Sequence, residues 1–302
     1  MYRGTIDVPM RKLVLWHAGT TPISICASSF NNKESYPRAA ALYKTVLISP
    51  YSEGTHIASV SRLSNEEVLM ASQETLYTLL LFFADVFRDD DDDLGHTQVT
   101  KHDIDTGSAT PIRQPLRQIP KHKQEEAQRI IQRMLVKNII FPTQSPLSSP
   151  VILVKKKDGS LCFCVEYRKV NSVTRTDAYP LPRINDFLDT LAGLSWFTTL
   201  DVLSGYWQLE VAEDDQKTAF SIQNGLFQFN VMPVGLCNAR ASFQCLMDMV
   251  LAGLLWDICL VYIDDVIIMG RDFNSHFTNI ANVLHCPQDA GLMVIPSKCN
   301  CL

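Results

Sequence analysis

Asp264 and Asp265 are adjacent and flanked by two apolar runs, Ile258 to Val261 and Val266 to Met269. Strand formers on either side of short acidic side chains read as a β-hairpin with two carboxylates at its tip. Two negative charges held about 4 Å apart repel by roughly 4 kcal/mol at an effective dielectric of ~20, so a fold that keeps them together and dry wants a cation. Taken alone, Tyr262-Ile263-Asp264-Asp265 reads more readily as a solvated acidic turn. A third carboxylate changes this. Asp201 ends a short apolar and threonine-rich strand, Trp196 to Leu200, and Ser204-Gly205-Tyr206 follows as turn residues leading into an aromatic. Three carboxylates converging from separate strands make a hard, oxygen-rich site suited to Mg²⁺. Paired ions of that kind activate an attacking hydroxyl and stabilise a departing phosphate oxygen, which is the chemistry of phosphoryl transfer.

Several elements must position these groups. Lys121 to Val136 is an amphipathic helix, with Ala127, Ile130, Ile131, Met134 and Leu135 on one stripe, closed by Pro142 and Pro146. Val151–Lys155 and Leu161–Tyr167 are strands around the basic turn Lys157-Asp158-Gly159-Ser160. A helix is expected over Arg183–Leu191, and a hairpin turning at Asn224-Gly225 between Thr218–Ile222 and Leu226–Val231. A long helix from Ala239 to Leu254 should back the sheet. Upstream, Leu42–Val60 suits a hairpin, Ser64 begins a helix whose apolar face continues over Gln73–Phe87, and Asp89–Asp93 is an exposed acidic connector.

The chain has 302 residues, 46% apolar and 20% charged, enough to bury a substantial core. Leu79 to Phe83 falls short of the ~20 apolar residues that cross a bilayer, and no signal peptide is apparent, so a soluble, intracellular protein without membrane contact is expected. Nine cysteines include no Cys-x-x-Cys pair. Cys162/Cys164 and Cys299/Cys301 read as reduced thiols. The net charge of −5 hides a segregation. Ile112 to Thr176 carries thirteen Lys or Arg against four Asp or Glu, net +9, whereas Asp177 to Leu302 carries five against fourteen, net −9. The basic part, with Arg113, Arg117, Lys121, Lys123, Arg129, Arg133 and Lys155 to Lys157, can neutralise nucleic-acid phosphates. The acidic part holds the carboxylates.

From His102 to Cys299 the chain resembles the fingers and palm of the reverse transcriptase of gypsy-type long-terminal-repeat retrotransposons. The runs that carry the resemblance include Pro111-Ile112-Arg113-Gln114, Lys156-Lys157-Asp158-Gly159-Ser160, Tyr167-Arg168-Lys169, Asp177-Ala178-Tyr179-Pro180-Leu181-Pro182-Arg183, Ser204-Gly205-Tyr206-Trp207-Gln208, Lys217-Thr218-Ala219-Phe220 and Val261 to Val266. The resemblance implies an α+β right-hand polymerase, with an antiparallel palm sheet backed by helices and the thumb absent. Residues 1–100 would be a polyprotein linker region and 101–302 the fingers and palm. It implies an RNA-directed DNA polymerase whose Asp201, Asp264 and Asp265 are the catalytic and metal-binding residues for Mg²⁺ or Mn²⁺. Tyr206 would pack under the incoming sugar, and Lys156 or Lys157 would reach the triphosphate. The partners would be RNA or DNA template with primer and deoxynucleoside triphosphates.

Departures from the family pattern accompany these matches. Cys162 stands where a basic residue precedes Phe163-Cys164-Val165-Glu166-Tyr167-Arg168, and a thiol cannot make charge-assisted phosphate bonds. Leu203 replaces Lys or Arg, and Leu147 replaces Trp. Arg240 replaces Pro near a helix N-terminus, where the dipole disfavours it, and Pro287 interrupts the helix expected over Phe277–Ala290. These losses suit a truncated or degenerate copy of the polymerase, and the alternative is a relic that binds nucleic acid without catalysis. Asp105-Thr106-Gly107-Ser108-Ala109 has the context of a retroviral-type aspartic protease, a weaker rival because a basic helix follows in place of a glycine-rich flap.

Overall fold

The computed structural model describes residues 6–7, 12–15, 23–26, 78–88, 95–155, 159, 161–202, 205–212, 216–295 and 299–301. Near the start, β1 (Ile6–Asp7), β2 (Lys12–Leu15) and β3 (Ile23–Cys26) pair antiparallel in that order. The hairpin expected over Leu42–Val60 and the acidic run Asp89–Asp93 lie outside the described residues. Of the helix expected over Gln73–Phe87, residues 78–82 are helical and 83–86 form turns that bury Phe83 and Val86.

The chain continues through β4 (Thr97–His102), α1 (Lys121–Val136), β5 (Ile140–Pro142), β6 (Ser149–Lys155), β7 (Leu161–Val165) and α2 (Arg168–Asn171). Then come α3 (Ile184–Leu191), β8 (Trp196–Asp201), β9 (Leu209–Val211), β10 (Phe220–Ile222) and β11 (Gly225–Phe229). The last elements are α4 (Ala239–Val250), β12 (Cys259–Tyr262), β13 (Asp265–Gly270), α5 (Phe273–Ala290) and β14 (Asn300–Cys301). β4 and β9 pair parallel with each other, and two larger sheets hold the other strands of this region. One has the order β5-β11-β10-β6-β7, and the other is antiparallel throughout, in the order β12-β13-β8-β14.

The first sheet packs on α1. The expected stripe faces it, with Ala127, Ile131 and Met134 buried, and Ile131 and Met134 meet Phe220, Phe227 and Phe229 in one apolar cluster. α1 stops at Asn138, whose φ of 54° turns the chain into β5. β6 and β7 pair antiparallel from Val151↔Val165 to Lys155↔Leu161, the basic hairpin expected from the sequence. In the other hairpin Ile222 pairs with Gly225, so the loop residues are Gln223 and Asn224, one position earlier than the Asn-Gly signal suggests.

The second sheet is backed by α4 and α5. Phe243, Leu246 and Met247 from α4 join Val283 and Leu284 from α5 and Ile268 from β13 in the largest core cluster. α4 is shorter than expected, since the chain leaves the helix at Leu251 and turns through Gly253 (φ 83°) and Trp256 (φ 70°) into β12. α5, by contrast, runs through Pro287. Pro287 lies in the last turn, where its ring and missing N–H cost the helix one hydrogen bond, and the left-handed Gly291 closes the helix, with the Leu292 N–H donating to the Pro287 carbonyl at 2.8 Å. Among the described residues no helix is long and apolar enough to cross a membrane.

Two buried histidines tie helices to strands. His276 on α5 meets Thr198 on β8 (Nε2 to Oγ1, 2.9 Å), and His102 on β4 meets Ser242 on α4 (Nδ1 to Oγ, 2.8 Å). Burial lowers both pKa values from 6.5 to about 4, against smaller opposing effects of the Met269 backbone on His276 and of Asp103 on His102. Between those values the unfolded chain binds more protons than the folded one, so stability is complete above the unfolded value and falls as pH drops towards 4. Each histidine is expected to cost roughly 2 kcal/mol of unfolding free energy at pH 5 relative to pH 8. Urea unfolding at the two pH values checks this, and His276→Gln should flatten its share of the dependence.

Candidate active site

The hairpin β12-β13 places the acidic residues, and its register refines the sequence expectation. Tyr262 pairs with Asp265, so Asp265 is the first residue of β13 and the tip consists of Ile263 and Asp264. The expectation of both carboxylates in the turn is corrected to one in the turn and one on the strand. On its other side β13 pairs with β8, and Asp265 stands directly opposite Asp201. Residues opposed in this way have Cβ atoms about 4.5–5.5 Å apart. The tip is joined to the end of β8 as well, because the Val202 N–H donates to the Asp264 carbonyl at 3.1 Å. Backbone pairing therefore brings the three aspartates to one end of the sheet. Asp201 and Asp264 are half-buried and Asp265 is exposed.

Their side chains, however, are not drawn onto one point. Among the described residues no three His, Cys, Asp or Glu side chains are gathered closely enough to hold a metal ion. The donor set itself fits a hard cation, since carboxylate oxygens are the ligands Mg²⁺ prefers.

Tyr206 lies beside this cluster, in a single 3₁₀ turn, Gly205–Gln208, between β8 and β9. Its ring meets Phe243 of α4 edge to face, with centroids 5.7 Å apart. A Cβ on Gly205 would come within 2.8 Å of the same Phe243 ring, so only glycine lets the turn seat so closely on α4. Burial, and then the charge of Asp264, push the Tyr206 phenol above its ordinary pKa, while Arg240 opposes them through its charge and a side-chain hydrogen bond. Asp264 and Arg240 thus both act on the Tyr206 phenol.

Gln244, one turn beyond Arg240, is a site residue that the sequence reading missed. It is 1% exposed. Its Oε1 accepts the Ile263 N–H at 2.8 Å and its Nε2 donates to the Val261 carbonyl at 3.3 Å, holding the turn from inside. The turn requires such support: Ile263 has φ 60°, a left-handed conformation costly for a β-branched residue. The available signal was a polar residue at helical spacing from Met247, within a run of apolar residues.

The fingers residues are only partly placed. Lys156 and Lys157 lie outside the described residues. Cys162 is on β7 opposite Val154, its Sγ 3.4 Å from that of Cys164, as expected for alternate residues on one face of a strand. Both are free thiols, as are Cys237, Cys245, Cys259, Cys286 and Cys299. Part of the basic segment is locally paired, Arg117 and Arg168 with Glu166 and Arg129 with Glu126, in exposed contacts of small energy. Asp105 accepts from the Gly107 N–H at 2.8 Å and pairs with Arg175 at 2.9 Å, contacts that lower its pKa, the backbone hydrogen bond most. A protease dyad needs the opposite, a carboxylate that shares a proton.

Residues 154–302 match the family described as reverse transcriptase (RNA-dependent DNA polymerase). The chain is 36% identical over 229 residues to the retrovirus-related Pol polyprotein from transposon opus of Drosophila melanogaster, covering 74% of this chain and 23% of that one. It is 40% identical over 176 residues to the corresponding polyprotein from transposon gypsy of the same organism, covering 56% and 17%. An RNA-directed DNA polymerase homolog of Oenothera berteroana is 42% identical over 125 residues, covering 41% of this chain and 88% of the homolog. In fold, the chain superposes on the foamy viral protease-reverse transcriptase in complex with RNA/DNA hybrid with a TM-score of 0.70 at 20% identity, covering 95% of this chain and 39% of that one. The chain belongs to the reverse transcriptase family, among its retrotransposon members, and has the α+β fingers-and-palm fold. It spans less than a quarter of the polyproteins it matches.

Proposed function

We propose that this chain catalyses template-directed nucleotidyl transfer, extending a primer with deoxynucleotides on RNA or DNA. One observation carries the reading: Asp201 and Asp265 are opposed across β8 and β13, with Asp264 in the adjoining turn. Asp201 and Asp264 would hold Mg²⁺ or Mn²⁺, with Asp265 completing the acidic cluster. Bound there, a divalent ion would make the primer hydroxyl a better nucleophile and offset charge developing on the phosphate. Tyr206, steadied by Phe243, presents its ring beneath the incoming sugar and leaves no room for a 2′-hydroxyl. The basic segment between Ile112 and Thr176 contacts the template-primer backbone. Primer extension by the purified chain, on RNA and DNA templates with Mg²⁺ and with Mn²⁺, tests the reading. No incorporation under any of these conditions would overturn it.

The second reading, a nucleic-acid-binding relic, is favoured by Cys162, which offers a neutral thiol on the fingers strand. Salt-sensitive binding without incorporation is its signature. If Cys162 weakens the nucleotide step alone, Cys162→Arg should lower the apparent KM for deoxynucleotides about tenfold, the worth of one charge-assisted hydrogen bond. Template affinity should change far less. An unchanged KM would show that another cation already grips the triphosphate.

A further inference from the structure

Tyr179 and Asp248 stand outside the acidic cluster, yet an unbroken chain of hydrogen bonds leads from them to it. The Tyr179 hydroxyl donates to Asp248 Oδ2 at 2.6 Å, and Asp248 Oδ1 accepts from Gln244 Nε2 at 2.8 Å. Gln244 Oε1 in turn accepts the Ile263 N–H. The loop carrying Tyr179 is docked on the start of α4: the Asp177 N–H donates to Asn238 Oδ1 at 3.1 Å, and the Tyr179 N–H donates to Asp177 Oδ1 at 3.0 Å. The loop therefore grips α4 at its first residues through backbone and at Asp248, near its end, through the phenol.

The direction of these bonds matters. A glutamine amide can turn either its oxygen or its nitrogen towards a neighbour, and the two orientations are nearly equal in shape. Gln244 serves the catalytic turn only if the oxygen faces the Ile263 N–H. A carboxylate accepts and does not donate, so Asp248 draws the amide nitrogen to itself and leaves the oxygen pointing at the turn. Tyr179 occupies the second carboxylate oxygen and holds Asp248 in that pose. Its phenol is shifted well above the ordinary range, mainly by this bond, and so stays protonated and donating.

We propose that Asp248, held by Tyr179, is a positioning residue that sets the orientation of the Gln244 amide and thereby locks the Ile263-Asp264 turn; this deepens the polymerase reading of the same site and rests on it. The chain of contacts gives the Asp177-Ala178-Tyr179-Pro180 run a task that neither the carboxylates nor the nucleotide requires of it.

The test is hydrogen–deuterium exchange on the full chain, reading residues 258–266, for the wild type, Asp248→Ala, Asp248→Asn and Tyr179→Phe. Asp248→Ala leaves the amide nitrogen only its longer bond, 3.3 Å, to the Val261 carbonyl, and exchange across the turn should rise roughly tenfold. Asn can still accept from Gln244 and donate to Tyr179, so Asp248→Asn should stay within about threefold of wild type. Tyr179→Phe should fall between them. Residues 220–229, in the other sheet, should be unaffected in every variant. Unchanged exchange in both Asp248→Ala and Tyr179→Phe would overturn the proposal, as would equal damage by Asp248→Asn and Asp248→Ala. Should Asp248→Ala not fold, Tyr179→Phe decides alone, since it removes one half-buried hydroxyl, and an unmoved turn would then refute the coupling. In primer extension Asp248→Ala and Tyr179→Phe should lower kcat and leave the nucleotide KM near its wild-type value, and Asp248→Asn should stay close to wild type. Exchange needs no catalysis, so a chain that never extends a primer would defeat the polymerase reading and leave the positioning result standing.

Discussion

Asp264→Asn is expected to reduce primer extension by about a thousandfold or more while leaving the chain folded. The loss follows from charge, because asparagine keeps the shape and the turn preference of aspartate but is neutral and a poorer ligand for a hard cation. Metal-assisted charge stabilisation is worth several kcal/mol, and roughly 4 kcal/mol corresponds to three powers of ten. The fold should survive, since the bond joining the tip to β8 is accepted by the Asp264 backbone carbonyl, which the substitution does not touch. A second signature is independent of turnover. Asp264 raises the Tyr206 pKa, so the variant should let the phenol relax downwards towards its ordinary value, readable by NMR of ring-labelled tyrosine. A variant that extends primers within tenfold of wild type would remove Asp264 from the chemistry.

The parts of this molecule that the sequence made legible are those fixed by local periodicity. α1 occupies Lys121–Val136 as its apolar stripe implied, because a 3.6-residue repeat of aliphatic residues allows one amphipathic element. The β6-β7 ribbon and the β12-β13 ribbon were legible for the same reason. What periodicity does not contain is which strand lies beside which. That Asp201 meets Asp265 depends on β8 entering the sheet between β13 and β14, a long-range pairing with no local signature.

Tertiary forces decided the remaining differences. A left-handed isoleucine at the hairpin tip runs against its backbone preference, and the hairpin signals in the sequence assign the turn to aspartates. Burial of Ile263 and its bond to Gln244 outweigh that preference. Pro287 was read as a helix interruption, yet the chain keeps it inside α5, where it is buried with Leu284 on the core side. Each case is a local rule overridden at or near the site.

Gln244→Leu is the substitution that tests whether such support controls activity. Leucine is close to glutamine in size and suits an apolar environment, so loss of packing is small. The buried Ile263 N–H, by contrast, loses its acceptor, a cost of about 1 to 3 kcal/mol in stability. The turn should then relax from the left-handed conformation and carry Asp264 with it. A displacement on the order of 1 Å at a catalytic group costs about a hundredfold in rate, and that loss is expected here, in kcat far more than in nucleotide KM. Gln244→Glu separates hydrogen bonding from charge. Its carboxylate could still accept from Ile263, but it would face the Asp248 carboxylate where the amide nitrogen now sits 2.8 Å away, so repulsion should push the side chain out and reproduce the leucine phenotype. Combining Gln244→Glu with Asp248→Asn restores a donor opposite the acceptor and should recover much of the lost rate. If Gln244→Leu loses stability but keeps kcat within threefold, the glutamine is a packing and hydrogen-bonding residue of the core, and the hairpin holds Asp264 by its own pairing with β8.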